Sequence, residues 1–85
     1  MYSVLYTREV TKVLTRMPGN LAARIQSKIE LLAKDPFAPN NNVKALVGSD
    51  RYRLRVGDWR VIYQINGDKL EVIVLKIGPR GEVYR

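Results

Sequence analysis

The chain contains no cysteine and no histidine. Without cysteine there is no disulfide scaffold, no thiol nucleophile and no zinc–thiolate site. Without histidine, Ser–His triads, imidazole metal sites and His–His RNA cleavage are excluded. Long apolar runs are missing as well: no stretch approaches the roughly 20 residues that cross a bilayer. The run from Met1 to Arg8 has neither a leading basic region nor a long apolar core. A signal peptide is therefore not expected, and the expected location is cytoplasmic. No Asp/Glu cluster shows metal-ligand spacing, so neither a metal nor another cofactor is expected. Acidic residues are scarce too: 8 Asp+Glu stand against 15 Lys+Arg, leaving +7 and a pI near 10.1.

What remains describes a small folded body. Eighty-five residues make one domain, spanning 1–85. Hydrophobic residues at 46% and charged residues at 27% are the usual globular mixture, which argues against disorder. An excess of positive charge on so short a chain favours a polyanionic partner: nucleic acid, ribosome, anionic membrane or acidic protein.

Tyr2-Ser-Val-Leu-Tyr6 is aromatic and β-branched and reads as an opening strand. Thr7 suits a helix N-cap, and Val10, Val13, Leu14 and Met17 then recur along one helical face. Pro18-Gly19 stops that helix, and Asn20 is placed to cap the next. Leu21, Ile25, Ile29 and Leu32 form the second apolar stripe, which Asp35-Pro36 ends. So short a connection predicts an antiparallel αα-hairpin. Residues 37–50, with Pro39, three consecutive Asn and Gly48, read as a loop.

The period then changes from 3.6 to 2. Tyr52, Leu54 and Val56 alternate with Arg53 and Arg55; Gly57-Asp58 fits a two-residue II′ turn; Trp59, Val61, Tyr63 and Ile65 form the next alternating set. Asn66-Gly67 is a second hairpin signal, and Leu70, Val72 and Val74 alternate until Gly78-Pro79. The expected fold is α+β: an N-terminal strand and an antiparallel two-helix hairpin packed on one face of a mostly antiparallel sheet of three to four strands. The helices should cover Leu54, Val56, Val61, Tyr63, Leu70 and Val72. Trp59 belongs with that packing.

Register turns the pattern into chemistry. With Gly57-Asp58 as the loop, Arg55 opposes Arg60, their Cβ atoms about 5 Å apart, and Arg53 shares their face. Like charges placed so destabilise a sheet by some tenths of a kcal/mol. A two-residue loop at Asn66-Gly67 would bring Glu71 opposite Ile62, as the nearest carboxylate. Alternating charge on a strand is also the ordinary wet face of a half-buried sheet, and that suffices for a single Arg. Three on one patch of a +7 chain favour an anion site, because guanidinium forks match phosphate oxygens and stay charged. Arg80 and Tyr84 follow the Gly-Pro turn, which could fold them toward the same face. Tyr84 could stack on a base or donate a proton, or it could simply anchor the tail.

The run Tyr52-Arg-Leu-Arg-Val-Gly-Asp-Trp-Arg-Val-Ile-Tyr-Gln-Ile65 resembles the central hairpin of RelE-type toxins, in the RelE/ParE superfamily of toxin–antitoxin systems. So do Lys44-Ala-Leu-Val-Gly48 and the ending Val74-Leu-Lys-Ile-Gly-Pro-Arg-Gly-Glu-Val-Tyr-Arg85. The resemblance covers nearly the whole chain. It implies a RelE-like fold and a toxin that cuts mRNA in the ribosomal A site; the ParE branch of the same superfamily instead poisons DNA gyrase without nuclease activity. It implies catalytic roles for Arg55, Arg60, Arg80 and Tyr84, and phosphate binding by Arg53, Arg51 and Lys44. It also implies a cognate, RelB-like antitoxin, with DNA reached only through the antitoxin complex. Two departures stand out: the first-strand positions that hold Lys in the best-known member are Arg53 and Arg55 here, and Pro79 stands where many relatives have His.

RNA carries its own nucleophile, the 2′-OH beside each phosphodiester. A site of this kind would place that oxygen in line and stabilise phosphorane charge through its arginines, giving a 2′,3′-cyclic phosphate. Tyr84 and Glu82 are candidates for proton transfer, and the ribosome could contribute groups. A plain RNA- or DNA-binding module is the third reading of the same charge.

Overall fold

The computed structural model describes residues 1–79. It contains two helices and five strands, β1 (Ser3–Tyr6), α1 (Arg8–Arg16), α2 (Gly19–Lys34), β2 (Val43–Ala45), β3 (Tyr52–Val56), β4 (Trp59–Asn66) and β5 (Glu71–Pro79). All five strands join one sheet in the order β1-β5-β4-β3-β2. Only the β1–β5 pair is parallel, with Val4 beside Val72 and Tyr6 beside Val74.

Thr7 caps α1 as its residue type suggests: its Oγ1 accepts the Val10 N–H at 3.2 Å. Glu9 in the first turn and Arg16 in the last suit the helix dipole. Only Met17 and Pro18 separate the helices. The second helix begins at Gly19 and is not capped by Asn20, because the Pro18 carbonyl already accepts the N–H groups of Leu21 and Ala22 at 3.0 Å each. From α2, Ile25, Ile29 and Leu32 are buried, with Ala22 and Ala33 on the flanks of the stripe. They pack with Val10 of α1 against Leu54, Val56, Val61, Tyr63, Val72, Val74 and Ile77 of the sheet.

Three expectations need correction. The segment read as a loop contains β2, which pairs antiparallel with β3 and makes the sheet five-stranded. Three residues are too few to show a period of their own, so this strand exists through its partner. Second, the β4–β5 connection is a four-residue turn over 67–70, with Leu70 in the left-handed region at φ 52°. A two-residue loop would have set Asp68 opposite Ile65 on the helix-facing side. The longer turn sets Val72 there instead, which spares a buried charge. Leu70 is consequently a turn residue, 49% exposed, and not part of the core. Third, a bulge between Ile62 and Tyr63 shifts the register, so Ile62 faces Lys76 while Tyr63 faces Val74. Glu71 lies beside Asn66, far from Ile62.

Candidate functional site

The sheet has one face under the helices and one without them. On the helix-free face, paired residues form rows across the strands. One row runs from Lys44 of β2 through Arg53 of β3 and Ile62 of β4 to Lys76 of β5. The next row is Arg55 opposite Arg60, with Gly78 beyond. Gly78, itself buried, brings no side chain to that row. Arg53, Arg55 and Arg60 thus share a face in the register expected of a Gly57-Asp58 turn. The positive φ of Gly57, 59°, with no positive φ at Asp58, agrees with the II′ geometry.

Two features of this face were not visible in the sequence. Lys76 joins the cations because the bulge and the longer turn carry it to Ile62, the place expected for Glu71. Asn42, just before β2, accepts from Arg55 Nη2 at 3.4 Å through Oδ1, and its carbonyl takes the Arg55 N–H at 2.8 Å. An asparagine in a run of three carries no signal for such a role.

Arg60 differs from its expected setting. It is only 8% exposed, not fully solvated. Its Nη1 donates to the carbonyls of Gly57 at 3.2 Å and Trp59 at 3.1 Å, which curls the guanidinium over the β3–β4 turn. Those two bonds use one nitrogen; Nη2 and Nε bond to no described residue. Arg55 is exposed, and among the described residues neither it, Lys44 nor Arg60 forms an ion pair with a carboxylate. Arg51 is exposed in the connection leading to β3, its N–H held by Ser49 Oγ at 3.0 Å. Arg80, Glu82 and Tyr84 lie outside the described residues. Among the described residues no group of three or more Asp/Glu could hold a metal ion, and no helix is long and apolar enough to cross a membrane.

The aromatic residues serve the other face. Tyr63, 1% exposed, stacks on Tyr52 with ring centroids 5.5 Å apart at 19°. Its hydroxyl is buried without a hydrogen-bond partner among the described residues. Burial pushes the Tyr63 phenol well up from its ordinary value, and the neighbouring Tyr52 adds to the rise. Tyr6 is also raised, by burial first and by the Glu30 carboxylate second. Trp59 packs against the core as expected.

Comparison with known proteins places this geometry. The family model described as the ParE toxin of the type II toxin-antitoxin system, parDE, matches residues 4–84. A putative toxin RelE1 from Methanocaldococcus jannaschii is 31% identical over 86 residues, covering 99% of this chain and 96% of its own. Toxin RelG from Mycobacterium tuberculosis is 26% identical over 86 residues, covering 99% and 97%. Among solved structures, the archaeal RelE-RelB complex from Pyrococcus horikoshii OT3 matches with a TM-score of 0.81 at 33% identity, over 95% of this chain and 97% of that one. A family model that spans almost every residue and a relative above 30% identity along its full length agree with the two-helix, one-sheet architecture. The chain belongs to the RelE/ParE superfamily of type II toxin–antitoxin systems, as a RelE-type toxin.

Proposed function

We propose that this toxin is a ribosome-dependent endoribonuclease that cuts mRNA by attack of a 2′-OH on the adjacent phosphodiester. The observation that carries the reading is the cationic helix-free face, where Lys44, Arg53, Arg55, Arg60 and Lys76 stand on four neighbouring strands. A rigid sheet holds such groups in place before the substrate arrives, so little reorganisation opposes charge stabilisation in the transition state. Arg60, fixed by two backbone carbonyls, presents its remaining fork to the phosphorane oxygens. Arg55, steadied by Asn42, neutralises the same phosphate from the opposite strand. Arg53, Lys44 and Arg51 grip flanking phosphates and set the strand in line. The family resemblance assigns Arg80 to the leaving group and Tyr84 to orienting or stacking on the substrate. A 2′-OH attack forms the new P–O bond as the 5′-oxygen departs, which leaves a 2′,3′-cyclic phosphate.

A cognate antitoxin follows from the same reading. The Pyrococcus horikoshii relative was solved as a RelE-RelB complex, and an acidic antitoxin segment suits a +7 toxin. Direct DNA contact is left to that antitoxin.

The test is induced expression with growth followed and mRNA 5′ ends mapped, in wild type and in Arg55→Ala and Arg60→Ala variants. New 5′ ends within translated messages in wild type, reduced roughly a hundredfold or more in each variant, are the expected result. Equal cutting by all three removes the site assignment. A second reading, inhibition of DNA gyrase, is favoured by the match to the ParE family model. Loss of gyrase supercoiling with the purified protein, and messages left intact, would select it.

A further inference from the structure

The cations do not end with the sheet. Around the β3–β4 turn lies an open hollow bounded by Arg24 and Lys28 of α2, Asn42, Arg55, Asp58 and Arg60. Arg24 and Lys28 are one helical turn apart, on one flank of α2, and both are exposed. Arg24 reaches the turn itself: its Nη1 lies 3.9 Å from where a Cβ on Gly57 would stand. Four cations therefore surround the hollow against one carboxylate, Asp58, and none of the four forms an ion pair among the described residues. Soluble proteins ordinarily intersperse charges of both signs. Gathering like charges around one depression costs Coulomb energy that a bound anion removes.

Arg55 and Arg60 belong to both places. They form a row on the helix-free face and they form the inner wall of the hollow. An anion that bears a charge at every repeat can pass from one to the other without a gap, whereas one small anion leaves Arg24 and Lys28 unused. We propose that the hollow is a second backbone-binding subsite for single-stranded RNA. It takes phosphates that flank the one held on the sheet, with Arg24 and Lys28 as its outer wall. This extends the nuclease reading given above and rests on it for the identity of the strand.

The experiment measures affinity for uncleavable 2′-O-methyl oligoribonucleotides, a trinucleotide and a nonanucleotide, with wild type and an Arg24→Gln/Lys28→Gln variant. Both residues are exposed, so the variant should fold, and its melting temperature checks that. Wild type should bind the longer strand more tightly. The variant should keep its trinucleotide affinity and lose about tenfold on the nonanucleotide. Its salt slope on the longer strand should shrink by about 1.4, at about 0.7 per phosphate released from a single strand. Arg24→Lys/Lys28→Arg should restore both. The subsite is overturned if wild type gains nothing with length, if the variant keeps the gain, or if the variant loses equally on both lengths. A wild type that leaves translated mRNA uncut yet shows the length-dependent loss sinks the nuclease reading and keeps the subsite.

Discussion

A guanidinium holds its proton at any working pH, whereas an ammonium can surrender one. That difference separates Lys44 and Lys76 from the arginines beside them. If Lys76 serves as a phosphate clamp, Lys76→Ala should lower cleavage roughly a hundredfold and Lys76→Arg should recover most of it. Initial rates on translated mRNA decide this, and equal loss in both variants would assign Lys76 to proton transfer instead. Tyr63 offers a test of the opposite face. Its buried hydroxyl has no partner among the described residues, so Tyr63→Phe should raise stability by about 1 kcal/mol in denaturant unfolding. The fold disfavours the Tyr63 phenolate, so the unfolded chain ionises first. Wild-type stability should therefore be whole below pH ~10 and decline as the pH rises above it. Tyr63→Phe should flatten that alkaline decline, with Tyr6 leaving a smaller remainder. Arg53, Arg55 and Arg60 could be placed on one face from Gly57-Asp58 alone, since a two-residue turn fixes its own register. Lys76 could not be placed so, because the turn over 67–70 and the bulge at Ile62 answer to what the core accepts opposite Ile65.

Helices were the more legible elements. Thr7, the apolar stripes and Pro18-Gly19 act within a few residues, and local signals survive folding unchanged. Thr7→Ala should cost about 1 kcal/mol of stability by removing the bond to the Val10 N–H, measurable by thermal unfolding. Strand β2 was illegible for the opposite reason: its hydrogen-bond partners lie on β3, and the Asn-rich approach to it reads locally as loop. The β3–β4 turn is the element on which most of the chemistry depends. Gly57→Ala, at φ 59°, should destabilise by about 1 kcal/mol or more. Since the Gly57 carbonyl also holds Arg60, cleavage should fall further than the stability loss alone explains, as unfolding curves and cleavage rates measured together would show.

At the scale of the molecule, a charge of +7 on 85 residues makes association with any RNA assembly strongly dependent on ionic strength. The class, α+β with helices on one sheet face, was readable from the change of period at residue 52. The position of the first strand was not. Nothing in Ser3–Tyr6 tells it to lie parallel to β5, because that pairing joins segments almost seventy residues apart. It has a further effect. Strand β5 is the last to be synthesised, yet it sits between β1 and β4. Without residues 71–79 the opening strand has no strand beside it, and the cationic row lacks Lys76. The opening strand can therefore be zipped into the sheet only after β5 has been laid down beside β4.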